Sequence, residues 1–250
     1  MKTLVIVPCY NEDPAIINKT ISEIKKYNKD ILLIDDGSLI PVKTSVKSIR
    51  NNENKGKGYS LRKGFDYAIK NNFDAVITLD GDGEHDPSNI PEFKEKLNNY
   101  DFIVGERPIR RSISRKFLNF FSQFWFNLIN NKIKDTQSGY RAIKVNLLKK
   151  MELNSDRFAI ELETLLEAIK HSARITSIAI TKKVTKKSHV SKQDYLKINK
   201  MFDEWYIKNK KYLKINLAKK LILDIFTPIG LKISSKLLSS SKDQNQKEQH

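Results

Sequence analysis

Asp80, Asp82 and Glu84 alternate with glycines in Ala75-Val-Ile-Thr-Leu-Asp80-Gly-Asp82-Gly-Glu84-His85-Asp86-Pro87, an apolar run that stops abruptly at a cluster of carboxylates. Such a run reads as a buried parallel strand, and an open α/β sheet binds its ligands outside the carboxyl ends of its strands. Hard oxygen donors on a short turn suit Mg²⁺ or Mn²⁺, and these cations suit the phosphates of a nucleotide. The spacing also fits the start of a calcium loop, but that pattern needs Gly at its sixth position and Glu at its twelfth, where the chain has His85 and Pro91. A solvated turn that caps a helix from Ser88 accounts for Asp86 as N-cap and Pro87 as first helical residue. It leaves Asp80 and Asp82 unexplained.

The elements that must position these acids follow from hydrophobic periodicity. Apolar runs at Thr3 to Val7, Ile31 to Ile34, Ala75 to Leu79 and Phe102 to Val104 predict strands, with another near Ile175 to Ile180. Helical spacing lies between them, at Ala15 to Tyr27, Val42 to Ile49, Ser60 to Lys70, Ser88 to Leu97, Val145 to Met151 and Ile160 to Lys170. Strands alternating with helices of this length predict an α/β fold with a mostly parallel central sheet covered on both faces. Phe117, Phe120, Phe121, Phe124, Trp125 and Leu128 mark a wide apolar helical face whose default is core, with an aromatic groove for a lipid or sugar as the alternative. From about Tyr195 the chain is helical and basic, and Leu217 to Leu231 mixes apolar residues with lysines across a break at Pro228. A helix of that kind lies on a membrane surface or packs on its own domain. The expected organisation is one α/β domain over 1–194, a basic amphipathic extension over 195–238 and a polar, disordered tail over 239–250.

Composition narrows the function classes. The chain has 250 residues, enough for one good core, and a net charge of +17. The single cysteine, Cys9, excludes a disulfide framework and a multi-cysteine zinc site, and points to a reducing compartment. Nothing at the start has the form of a signal peptide, and no stretch reaches the roughly 18 to 20 apolar residues of a membrane span. The expected state is soluble or peripheral. The charge could serve nucleic acid, anionic lipid or an acidic substrate. Two acid-free segments concentrate it: 107–116, with Arg107, Arg110, Arg111, Arg115 and Lys116, and 181–192, with His189 among its lysines. Both read as loops that meet phosphate.

Other strand ends also carry distinctive groups: Pro8-Cys9-Tyr10-Asn11-Glu12 after the first and Asp35-Asp36-Gly37-Ser38 after the second. The fingerprints of a dinucleotide fold and of a P-loop are missing, and Asn54-Lys55-Gly56-Lys57-Gly58 is the nearest thing to a phosphate cradle. Taken together with Gly105-Glu-Arg107, Asp135-Thr-Gln-Ser-Gly-Tyr-Arg141 and Glu161-Leu-Glu163, these motifs resemble the family 2 glycosyltransferases of the GT-A fold. The similarity is greatest to the polyprenyl-phosphate and dolichyl-phosphate hexose synthases that use mannose or glucose, and it covers about residues 3 to 181. Each motif alone is a weak signal; seven in order make a strong one.

The resemblance implies roles. Pro8, Tyr10, Glu12 and Asp36 would form the pocket for the base and ribose of a nucleotide-sugar, with Lys57 near the donor. Asp80 and Asp82 would be the Asp-x-Asp motif, Asp82 directly on Mg²⁺ or Mn²⁺ and Asp80 shared between metal and ribose. Glu84 stands where the family often has Gln and adds a possible third anionic ligand. Arg107 would lie near the transferring phosphate. The implied reaction is inverting displacement at the anomeric carbon. A polyprenyl phosphate acceptor arrives ionised and needs cations, for which Arg107, Arg115, Arg141 and His189 are candidates. A hydroxyl acceptor, as in elongation of a surface glycan, needs a carboxylate base, for which Asp135 and Glu163 are candidates. Salt bridging is the alternative for Glu161 and Glu163. The implied setting is the cytoplasmic membrane face, with peripheral attachment and room for a membrane-spanning partner subunit. A nucleic-acid-binding protein is the reading from another class. The chain lacks its signatures, and the acid cluster would repel a phosphate backbone, so no nucleic acid partner is expected. The choice between GDP and UDP donors stays open.

Overall fold

A computed structural model describes residues 1–108, 124, 126–130, 133–181 and 191–247. The chain forms two compact units, one of Met1–Ile109 with Asp135–Lys187, the other of Arg110–Lys134 with Ser188–His250.

The first unit is a seven-stranded sheet: β1 (Thr3–Cys9), β2 (Ile31–Asp35), β3 (Lys47–Arg50), β4 (Ala75–Thr78), β5 (Phe102–Glu106), β6 (Arg141–Lys144) and β7 (Ile175–Ala179). Their order is β3-β2-β1-β4-β6-β5-β7. All pairs are parallel except those made by β6, which runs antiparallel to β4 and β5. After β1 the chain moves outward to β2 and β3, then returns to place β4 on the other side of β1. The order therefore reverses between β1 and β4, where a crevice opens at the strand ends.

Side-chain alternation explains why both faces are covered. Val5 and Val7 point into a core with Ile17, Ile21 and Ile24 of α1 (Pro14–Lys25) and Ile90 and Phe93 of α3 (Ile90–Lys96) and its approach. Ile6 faces the other way, against α2 (Lys57–Lys70), where a Cβ on Gly64 would lie 2.7 Å from the Ile6 side chain. The buried stripe on α1 repeats at helical spacing through Ile17, Thr20, Ile21 and Ile24, and Asp13 caps the helix by accepting from the Ala15 N–H. The remaining helices of this unit are the short α4 (Val145–Leu148) and α5 (Ile160–Lys170), whose residues from Ile160 to Ala168 are all buried.

Two local expectations are corrected. The helix expected over Val42 to Ile49 is a loop followed by β3, which pairs in parallel with β2. Val42, Thr44, Val46 and Ile49 are β-branched and lose rotamer freedom in a helix, and the open edge of β2 supplies the ladder instead. β6 has no counterpart among the expected strands, because its four residues carry no apolar run.

The second unit contains α6 (Lys192–Asn209) and α7 (Leu217–Lys247). Ser191 and Asp194 form a capping box at the start of α6. Ile198, Phe202, Trp205 and Tyr206 are buried on α6, as are Leu223, Thr227 and Ser234 on α7. The two helices pack antiparallel: Tyr206 Oη lies 3.2 Å from Asp224, Lys210 pairs with Asp224 at 2.8 Å, and Gly230 abuts Asp203. α7 continues through Pro228 to Lys247, so its backbone takes in most of the segment expected to be a polar tail. The aromatic face expected from Lys116 lies mostly outside the described residues; within them Phe126 is buried and Phe124 is exposed.

Candidate active site

The turn after β4 sits at the sheet's reversal point. Asp80 lies two residues past the end of the strand, and both of its oxygens are engaged: Oδ1 by Lys57 Nζ at 2.6 Å, Oδ2 by His85 Nε2 at 3.2 Å. Burial opposes ionisation of this carboxyl, but Lys57 and His85 outweigh it and hold the group well below the ordinary carboxylate range. Asp82 is in the opposite situation. Burial, the neighbouring Asp80 charge and Glu84 all raise its proton affinity, against a hydrogen bond from the Glu84 N–H and the nearby His85. Asp82 is thus the carboxyl of this turn whose charge lacks a cationic partner of the kind Asp80 has, and a cation placed there would relieve it.

Lys57 is the first residue of α2 and bridges two acids, Asp80 and Glu161, the latter at 2.8 Å. Burial alone would drive the ammonium neutral; the two carboxylates reverse that and raise its pKa. The bridge requires close backbone approach. Gly56 has φ 97, and a Cβ there would run into the Asp156 carbonyl. Gly139 is pinned by Thr78 Oγ1, which donates to its carbonyl at 2.7 Å, and a Cβ on it would lie 2.6 Å from Asp80 Oδ2 and 2.7 Å from Lys57 Nζ.

Asp36 is 3 % exposed and braces the glycine turn that presents Lys57. It accepts from Asn51 Nδ2 at 2.7 Å, Lys55 N at 3.1 Å and Gly56 N at 2.7 Å. Of the other residues expected around a donor, Pro8 is buried on β1, Tyr10 is 44 % exposed and Glu12 is half-buried just beyond the strand. The two loops are tied together, since Asn11 N donates to Ser38 Oγ and Leu39 N to Asn11 Oδ1. Cys9 is buried, its thiol pushed up to about 12 by burial and by Asp35.

Arg107, just beyond β5, grips Asp135 with Nε on Oδ2 at 2.7 Å and Nη2 on Oδ1 at 2.9 Å. Burial opposes its charge, but Asp135, with Asp80 and Glu84 further off, keeps the guanidinium firmly protonated. Glu163 is buried and accepts from the Asn154 and Ser155 N–H groups, 3.0 Å each, which fixes the loop before α5. Burial still raises its pKa. Arg141 is 3 % exposed and donates to the carbonyls of Ser138, Thr136 and Glu161 and to Thr164 Oγ1. Burial lowers it to about 10. Its guanidinium ties the 136–138 turn to α5. Arg110, Arg111, Arg115, Lys116 and His189 lie outside the described residues.

The structure therefore brings Lys57, Asp80, Asp82, Glu84 and Arg107 to one place, and turns Asp36, Glu163 and Arg141 to bracing. His85 and Glu161 join the site without having been singled out for it. His85 is 2 % exposed, with its ring 5.2 Å from that of Tyr140, and the only sequence signal for it was its position in the acid turn. Among the described residues no three His, Cys, Asp or Glu side chains gather to enclose a metal, so Asp80, Asp82 and Glu84 do not form a complete cage. Two carboxylates plus phosphates from a ligand are the usual way to hold Mg²⁺, and Asp80 with Asp82 fit that set.

The sequence over residues 4–150 matches the family described as Glycosyl transferase family 2. An uncharacterised protein of Methanocaldococcus jannaschii is 30% identical over 69% of this chain and 84% of its own length. The polyprenol monophosphomannose synthase of Mycolicibacterium smegmatis is 25% identical over 72% of this chain and 77% of its own. Among solved structures, glucosyl-3-phosphoglycerate synthase from Mycobacterium tuberculosis, crystallised with Mn²⁺, UDP-glucose and phosphoglyceric acid, superposes with a TM-score of 0.69 at 14% identity, covering 82% of this chain and 79% of that one.

Proposed function

The chain belongs to glycosyl transferase family 2, and from that membership and the geometry of its site we propose that it moves a hexose from a GDP- or UDP-sugar onto a polyprenyl phosphate at the cytoplasmic face of a membrane. Glycosyltransfer itself follows from the family and the GT-A fold, and the relatives include polyprenyl-phosphate sugar transferases. The finer reading rests on one observation. Both carboxylates singled out as candidate bases for a hydroxyl acceptor are engaged, Asp135 by Arg107 and Glu163 by two backbone N–H groups. A phosphate acceptor needs no base, because it arrives with its nucleophilic oxygen ionised.

In this reading Tyr10 and Glu12, beside Pro8, meet the donor's base and ribose. Asp82 and Asp80 would hold Mg²⁺ or Mn²⁺, with Glu84 alongside, and such a cation would supply Lewis-acid neutralisation for a diphosphate leaving group. Lys57 has two of its three N–H donors on carboxylates and directs the third toward a diphosphate oxygen. The acceptor phosphate oxygen attacks the anomeric carbon from the face opposite the leaving group. The new C–O bond forms as the sugar–diphosphate bond breaks, and the electron pair leaves on the nucleoside diphosphate, so the configuration inverts. Arg107 supplies positive charge beside the acids.

The approach to lipid is assigned to α7. Among the described residues no helix is long and apolar enough to cross a membrane. Leu217, Leu221, Ile225 and Ile229 recur every four residues and are 82%, 59%, 50% and 49% exposed. They lie on the side of α7 opposite Leu223, Thr227 and Gly230, which face α6. From Lys208 to Lys236 the chain carries eight lysines against one acid, Asp224. An apolar stripe flanked by that charge suits an anionic lipid surface, and a membrane-spanning partner would be an addition to it.

The acceptor assignment is tested by offering polyprenyl phosphate and the corresponding polyprenol with the same donor. Sugar should enter the phosphate lipid alone; equal transfer to the alcohol would reject a phosphate acceptor.

A further inference from the structure

We propose that Glu161 is a positioning residue for the cation site: it holds the Lys57 ammonium between two carboxylates and so keeps Asp80 available to a divalent cation. The inference rests on the metal-dependent reading above and concerns a residue that touches neither donor nor cation in it.

Lys57 Nζ lies 2.6 Å from Asp80 Oδ1 and 2.8 Å from Glu161 Oε1, so the one ammonium is shared. Glu161 is 4 % exposed, and its Oε2 is buried with no hydrogen-bond partner among the described residues. A desolvated carboxylate with half its acceptor capacity unused depends on Lys57 for compensation and pulls strongly on it. Without Glu161 the ammonium would be left to Asp80 alone and would compete with any other cation for that carboxylate. Gly139 fixes the distances, because there is no room for a Cβ between it and the Asp80–Lys57 pair. Placement at the start of α5, on a backbone tied to Arg141 through the Glu161 carbonyl, gives the side chain a rigid base. Groups that stand behind a metal ligand in this way commonly change metal affinity by about 10- to 100-fold when removed.

The experiment is titration of the full chain with Mn²⁺ in the absence of donor, following free Mn²⁺ by electron paramagnetic resonance, with a thermal melt on each variant. Glu161→Gln should weaken Mn²⁺ binding by about ten-fold or more. Glu161→Asp keeps the charge but withdraws the carboxylate from Lys57 by one methylene, and should weaken it as well. Lys57→Met removes the competing ammonium and should tighten Mn²⁺ while weakening the donor. In that background Glu161→Gln should change Mn²⁺ affinity by less than about two-fold, since the residue acts through Lys57. Equal losses in both backgrounds would overturn the proposal, as would wild-type affinity in Glu161→Gln or Glu161→Asp. If Lys57→Met does not fold, Glu161→Asp decides, because an effect of charge alone leaves its affinity unchanged. A wild-type chain that binds no Mn²⁺ even with nucleotide present would reject the metal-dependent reading itself, and the proposal with it.

Discussion

Arg107 closes both oxygens of Asp135 in a two-point grip, Nε on Oδ2 and Nη2 on Oδ1, at 2.7 and 2.9 Å. Planar pairing of this kind is among the strongest charged hydrogen bonds and fixes both side chains. In the proposed reading Asp135 aims Arg107, which carries the charge. Arg107→Lys loses the second contact point and should reduce transfer by about 10²-fold, as expected for a misplaced positioning group. Steady-state rates with saturating donor check this; a loss below about three-fold would remove Arg107 from the acceptor side.

Glu163 braces the loop before α5. Glu163→Gln can accept from the two N–H groups with one oxygen at best, and should cost about 1 to 3 kcal/mol of stability while transfer stays within about ten-fold of wild type. Denaturant unfolding and initial rates separate the two effects. A loss of several thousand-fold with an unchanged melt would restore Glu163 as a base and bring back the hydroxyl acceptor.

Gly139→Ala places a methyl group into the Asp80–Lys57 contact, 2.6 Å from one and 2.7 Å from the other. Transfer should fall by about 10²-fold or more, because the pair must shift by a substantial fraction of an ångström. Mn²⁺ titration should show the same variant weakened at the cation site.

Asp203 of α6 is buried against Gly230, and burial with the nearby Glu204 charge pushes its carboxyl up to about 7. An unfolded chain releases that proton near pH 4. The folded-state value is therefore the higher one, and its contribution to stability is complete below about pH 4 and lost as pH rises through about 7. Melting temperature should decline over that window, and Asp203→Asn should flatten the decline and melt higher at pH 8. An unchanged pH profile in the variant would mean that Asp203 is not the group responsible.

If α7 rests on lipid, the paired substitution Ile225→Glu with Ile229→Glu, or deletion after Tyr212, should abolish co-sedimentation with anionic vesicles without changing the melt of the first unit. Unchanged co-sedimentation would make α7 a packing helix.

Much of this site was legible in the sequence because strand ends announce themselves. The Ala75 to Leu79 run can only be buried, and acids at its end can only face the crevice. Arg107 and Lys57, expected near phosphates, stand instead paired with acids at the same crevice, Lys57 on Asp80 and Glu161 and Arg107 on Asp135. Arg141 was ambiguous because a lone arginine after a glycine turn looks the same whether it meets substrate or carbonyls; β6, a four-residue antiparallel strand, carries it inward to the carbonyls. Asp36 shows the same ambiguity, since a turn that braces a glycine cradle and a turn that meets ribose call for the same residue. The Glu161–Lys57 bridge joins α5 to the start of α2, and no local spacing reports a contact between elements so far apart in the chain. The helix expected over Val42 to Ile49 failed because apolar spacing over eight residues outweighed a β-branched composition that favours strand.

The most direct test of the account is to incubate the full chain with Mg²⁺ or Mn²⁺, a short-chain polyprenyl phosphate and a panel of labelled GDP- and UDP-sugars, and to follow label into the lipid phase with and without EDTA, for wild type and Asp82→Ala. The account predicts label in the lipid from one donor class, lost with EDTA and absent in the folded variant. Transfer that persists in EDTA or in Asp82→Ala, or donor breakdown with no lipid product, would contradict it.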